Sequence, residues 1–88
     1  MELRQLHYFV CVVELGSMGR AAQQLGVGTS ALSQQISRLE SELATRLLQR
    51  TSTGVVPTEA GERLLAQVLP TLGQLEAALA ELTRHAGE

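Results

Sequence analysis

The stretch Met18–Ser37 constrains the fold more than any other part of this chain. It reads as two short helices joined by a tight turn. Ala21, Ala22, Leu25, Val27, Leu32 and Ile36 fall at the positions that would face inward. Ala22 is small where two helices must approach closely. Gly26 stands where the turn needs a residue tolerant of positive φ. Val27 plugs the corner, and Leu32 and Ile36 bring the second helix back onto the core. This is a helix-turn-helix pattern over residues 18–37, an arrangement that offers its second helix to the DNA major groove.

The second helix carries the most informative pattern. It begins near Thr29, with Gly28 as a permissive N-cap. At 100° per residue, Leu32, Ile36, Leu39 and Leu43 share one narrow face. The opposite face carries Ser30, Gln34, Ser37 and Ser41, flanked by Arg38, with no acid before Glu40. Base edges are read with hydroxyl, amide and guanidinium groups, and a Gln amide can pair bidentately with adenine. A helix N-terminus draws phosphate oxygens, and Thr29 and Ser30 sit there. An ordinary solvated face would carry more Glu and Lys than Ser and Gln.

Before this unit, residues 2–15 read as a helix with Leu3, Leu6, Val10 and Val13 at i, i+3, i+7 and i+10, Phe9 beside them, and Cys11 and Val12 widening the apolar face; Gly16 stops it. Cys11 reads as a small packed thiol, and His7 as a surface or dimer-facing side chain. Ser17 can N-cap the next helix or touch a DNA phosphate. Gly19 weakens that helix by roughly 1 kcal/mol relative to Ala.

After it, residues 48–57 break the helical period. Thr51, Thr53, Val55 and Val56 favour extended backbone, and Ser52-Thr53-Gly54 supplies a turn. This is a short hairpin, with Pro57 at a strand end. Arg50 at its base suits a phosphate or minor-groove contact; pairing with Glu40 or Glu42 is the other reading. Thr58 then caps a long helix to about Thr83, with Glu59 and Glu62 favourably placed for its dipole. Leu65, Val68, Leu72, Leu75, Leu79 and Leu82 repeat at spacings of three and four, a coiled-coil seam. A single helix cannot bury that seam alone, so a homodimer through it is expected. Folding back onto its own domain is the alternative. Pro70 should bend the helix, and His85–Glu88 should fray.

Composition sets bounds. Eighty-eight residues allow one small domain with an appended helix. One Phe, one Tyr and no Trp require an aliphatic core. The net charge of −2 argues against a nucleic-acid partner, but its distribution matters more. Residues 17–58 carry a net +2 through Arg20, Arg38, Arg46 and Arg50, whereas residues 59–88 carry −3. One Cys and two His supply no metal set, and no catalytic constellation is evident. A single Cys suits a reducing compartment. The N-terminus lacks the pattern of a signal peptide, and no run approaches a membrane span. A soluble, cytoplasmic, non-enzymatic protein without cofactor is expected.

The chain resembles the DNA-binding part of LysR-type transcriptional regulators. The matching residues are Leu3-x-x-Leu6-x-x-Phe9, Gly16-Ser17, Ala21-Ala22-x-x-Leu25, Ala31-Leu32-Ser33-Gln34-Gln35-Ile36, Leu39-Glu40, Leu43, Arg50-Thr51 and Thr58-Glu59-Ala60-Gly61. The resemblance covers essentially the whole chain. It implies a mainly α fold: a winged helix-turn-helix over 1–58, with the wing at 48–57 and a linker helix over 59–88 that dimerises. It also implies sequence-specific binding of double-stranded DNA at an inverted-repeat operator. A separate effector-binding domain, absent from this chain, would sense a small-molecule inducer and drive assembly into a tetramer. The expected DNA contacts are Thr29, Ser30, Ser33 and Gln34 on the recognition helix, with Arg50 and the wing residues Thr51 and Thr53. Ser17, Arg20, Ser37 and Arg38 flank them. Gly28, Thr29 and Ser30 depart from the Ser or Ala, Gln and Pro often found there. Thr53 stands where the wing tip often carries Arg, which implies a weaker electrostatic contribution. Ala44 and Leu48 replace a usual Gly and Phe. The competing functional reading is a winged protein-interaction module that does not bind DNA.

Overall fold

The structure, a computed structural model, describes residues 1–86. The elements in chain order are α1 (Leu3–Leu15), α2 (Met18–Leu25), α3 (Thr29–Leu43), β1 (Leu48–Thr51), β2 (Gly54–Pro57) and α4 (Glu59–Ala86). Helices α1, α2 and α3 enclose an aliphatic core around Phe9, Val12, Ala21, Leu32 and Leu39, all fully buried. The hairpin closes one side of this core with Leu48 and Val55.

The corners form where backbone chemistry demands them. Gly16 and Gly26 end α1 and α2 in the left-handed region, at φ 65° and 71°. Ser17 caps α2: its Oγ accepts from the Arg20 N–H at 3.1 Å. Ala44 also adopts a left-handed conformation (φ 52°) after α3. Its N–H and that of Thr45 close the last turn onto Glu40 and Ser41 carbonyls. Replacement of the usual Gly therefore acts on the backbone, because a Cβ is strained in this region. Gly19 has room for a Cβ and an ordinary helical φ; nothing in the structure explains it.

The inward face of α1 is centred on Phe9 and Val12, at the edge of the expected stripe. Gln5, Phe9 and Val12 are its buried residues, whereas Leu3 is 47% exposed. Leu6, Val10 and Val13 pack only at the margin of the core. The two stripes are about a third of a turn apart on the helix, and the bulk of Phe9 claims the centre. Burial of Gln5 is satisfied from both ends of its amide. Its Oε1 accepts from the Glu2 N–H at 3.0 Å, and its Nε2 donates to Gln35 Oε1 at 3.1 Å, tying α1 to α3.

β1 and β2 pair antiparallel in the register Leu48↔Pro57 through Thr51↔Gly54. The hairpin docks on the α1–α2 corner, where the Val55 N–H donates to the Gly16 carbonyl at 3.0 Å. Gly54 is required there, since a Cβ would overlap that same carbonyl oxygen. Thr58 caps α4, its Oγ1 accepting from the Gly61 N–H at 3.0 Å and donating to the Arg46 carbonyl at 2.7 Å. Gly61 presses against the Leu47 carbonyl so closely that a Cβ would collide with it. The Thr58-Glu59-Ala60-Gly61 sequence is thus the joint between wing and stem.

α4 is longer than expected, continuing through Pro70 and past Thr83 to Ala86. His85 is therefore helical rather than frayed, and the remaining part of that expectation, Gly87 and Glu88, lies outside the described residues. The seam is divided. Val68 and Leu72 are buried within the single chain, and Leu65 packs against the core, so this part does fold back on its own domain. Leu75, Leu79 and Leu82 are 38%, 56% and 68% exposed. α4 leans on α1, and His7, expected at a surface or partner contact, places Nδ1 3.8 Å from Glu76 Oε1 of its own chain.

Two substitutions test the backbone argument. Ala44→Gly should stabilise the fold by about 0.5–1 kcal/mol by relieving the left-handed Cβ. Gly61→Ala should destabilise it by about 1–3 kcal/mol through overpacking against Leu47. Urea unfolding midpoints at fixed protein concentration measure both.

Candidate nucleic-acid interface

Burial of Leu32, Ile36 and Leu39 against the core turns the opposite side of α3 outward. Thr29, Ser30, Gln34, Ser37 and Arg38 are all exposed on it, and Ser33 is half-buried at its edge. No ion pair among the described residues engages Arg20 or Arg38, both exposed. Thr29 and Ser30 stand at the N-terminus of a fifteen-residue helix with no acid in its first turn. The face that carries these groups is therefore uncharged to cationic and rich in donors and acceptors.

The wing stands beside this helix. Arg50 is exposed on β1, and its Nη2 donates to Ser33 Oγ at 3.3 Å. It does not pair with the carboxylates considered for it. Glu42 is paired with the N-terminal ammonium, and Glu40 Oε2 lies 3.9 Å from Arg46 Nε. Ser33, Ser37, Glu40, Arg46 and Arg50 line a groove of about 520 Å³ between α3 and the wing. At the hairpin end, Thr51 Oγ1 donates to the Gly54 carbonyl at 3.1 Å and accepts from the Thr53 N–H at 3.3 Å. The Thr51 hydroxyl thus closes the turn, while Thr53 projects at the tip. Ser17 Oγ serves its cap.

Two residues of this groove, Arg46 and Glu40, are not marked as site residues by the sequence pattern. Arg46, 79% exposed, adds a guanidinium at its rim; its place just ahead of the hairpin was the available signal. Glu40 is only 16% exposed and accepts from the backbone N–H groups of Leu47 and Leu48 at 2.7 and 3.2 Å. No periodicity reports such a pairing across seven residues. Elsewhere, half-buried Cys11 has its thiol pKa raised by burial and, secondarily, by the Glu14 carboxylate. Both effects favour the protonated thiol over the reactive thiolate.

A tri-helical core that exposes its third helix beside a two-stranded hairpin defines the winged helix-turn-helix class. Residues 3–62 match the family described as "Bacterial regulatory helix-turn-helix protein, lysR family". The chain belongs to the lysR family. Among curated proteins it is 48% identical over 82 residues to the HTH-type transcriptional regulator PgrR of Escherichia coli K12, a match covering 93% of this chain and 27% of that protein. It is 47% identical over 78 residues to the nitrogen assimilation regulatory protein nac of Klebsiella aerogenes, covering 89% of this chain and 26% of that protein. The chain thus spans about a quarter of the length of these relatives. Among solved structures it is similar to the DNA-binding domain of BenM in complex with benA site 1 DNA. That match has a TM-score of 0.87 and 38% identity, covering 96% of this chain and 98% of that one. It is also similar to full-length CbnR complexed with its target DNA, with a TM-score of 0.81 and 36% identity, covering 96% of this chain and 29% of that one. No described helix is long and apolar enough to cross a membrane.

Proposed function

We propose that this chain is the sequence-specific, double-stranded-DNA-binding part of a LysR-type transcriptional regulator acting in the bacterial cytoplasm. The observation that carries the reading is the exposed, acid-free face of Ser30, Gln34, Ser37 and Arg38 beside a wing whose Arg50 has no carboxylate partner among the described residues. α3 enters the major groove, with Ser30, Ser33 and Gln34 toward base edges and Thr29 at a phosphate. Arg20, Arg38 and Arg50 neutralise backbone charge, with Ser17 and Thr51 near the same strands and Thr53 at the wing tip. Similarity to two proteins solved with DNA supports this assignment. The role is binding rather than catalysis.

Residues 1–58 form the reading head and α4 the linker. Two copies pair through the exposed run Leu75, Leu79 and Leu82, with Leu65, Val68 and Leu72 continuing the stripe inward. Pairing matches the two-fold symmetry of an inverted-repeat operator. In a full-length regulator, an effector-binding domain would couple a small-molecule inducer to this dimer and to a tetramer. The net charge of −2 favours a second reading, a winged protein-interaction module. Duplex binding that weakens steeply with salt separates the two readings.

In gel-shift titrations, Gln34→Ala should lose discrimination between a selected operator and random duplex, by about 1–3 kcal/mol. Arg50→Ala should weaken both duplexes about equally. Equal losses on both for Gln34→Ala reject the base-reading role. Sedimentation should show Leu79→Glu shifting the protein toward monomer without loss of helical circular dichroism; an unchanged dimer rejects the α4 pairing.

A further inference from the structure

We infer that Glu40 is a positioning residue for DNA binding: its carboxylate sets the wing's register against the recognition helix and so places Arg50. The inference rests on the DNA-binding reading above. A single oxygen, Oε2, accepts both the Leu47 and the Leu48 N–H groups. These are the two amides at which the chain leaves the α3 exit and enters β1. Ser33, Ser37 and Glu40 stand at i, i+4 and i+7, so they form one stripe along α3, about 10 Å from end to end. All three line the groove facing the wing.

One end of that stripe grips the start of β1, and the other end meets the Arg50 guanidinium through Ser33. Leu48 and Arg50 are two residues apart on the strand and share its inward side. Leu48 is buried beneath it, and Arg50 reaches α3. A slip of one residue would turn both away. The other backbone ties on the hairpin reach it from different elements. Val55 N–H bonds to Gly16 beyond α1, and Thr58 N–H bonds to the Leu47 carbonyl ahead of α4. Neither refers the strand to α3, whereas Glu40 does. Its charge strengthens the two bonds, and its depth keeps it away from solvent.

The test combines amide exchange with binding to a mixed-sequence duplex. In Glu40→Ala the Leu47 and Leu48 amides should lose protection while the α1–α3 core keeps its own. The salt dependence of duplex binding should become shallower by about one. Arg50→Ala, costly in the wild type, should cost nothing further in the Glu40→Ala background. Glu40→Gln, which keeps an accepting oxygen, should preserve protection, slope and the Arg50 effect. Should Glu40→Ala unfold, Glu40→Met takes its place, keeping length without the oxygen. Unchanged protection of the two amides overturns the inference, as does an Arg50→Ala penalty equal in both backgrounds. If the wild type binds no duplex at any salt concentration, the DNA reading falls, and the exchange comparison alone decides the grip of Glu40.

Discussion

Leu47 is the point on which the remaining architecture turns. Its side chain is buried in the core, its N–H donates to Glu40 of α3, and its carbonyl accepts from Thr58 at the head of α4. Gly61 closes over the same carbonyl, where no side chain fits. One residue just ahead of the hairpin thus receives constraints from both α3 and the stem. Buried backbone groups must be paired, and here the partners are the very elements whose relative placement the proposed function needs.

Binding chemistry follows from that placement. The polar side of α3 is available because its leucines and isoleucine are consumed by the core. A surface of hydroxyls and amides forms short-range, directional bonds, suited to telling one base pair from another. In the proposed reading the long-range attraction comes from a few guanidinium groups on residues 17–58, while the acidic surplus lies on residues 59–88. The overall acidity of the chain therefore says little about the part that would meet a phosphate backbone.

Much of this was legible in the sequence, and the physics explains which parts. The α2–α3 turn, the hairpin limits, the Thr58 cap and the inward and outward sides of α3 all report local geometry. Periodicity and turn chemistry encode such geometry directly. The apolar face of α1 is wide and takes in Phe9 and Val12, so periodicity leaves its centre open, and only packing sets that centre on Phe9 and Val12. The Gln5–Gln35 bond and the grip of Glu40 on Leu47 and Leu48 join residues with no periodic relation. The leucine repeat of α4 was plain, but a repeat shows that a side is apolar and not what covers it. Val68 and Leu72 turn out to be covered by their own chain.

That division of the stem separates two free energies. Its inner portion contributes to the cohesion of a single subunit, so the head can be folded before it meets another molecule. Its outer portion holds apolar area in reserve, and the strength of any association drawn from it depends on concentration rather than on the integrity of the head. In the proposed dimer, a substitution beyond Leu72 would therefore tune how tightly subunits hold together and leave the architecture of each intact.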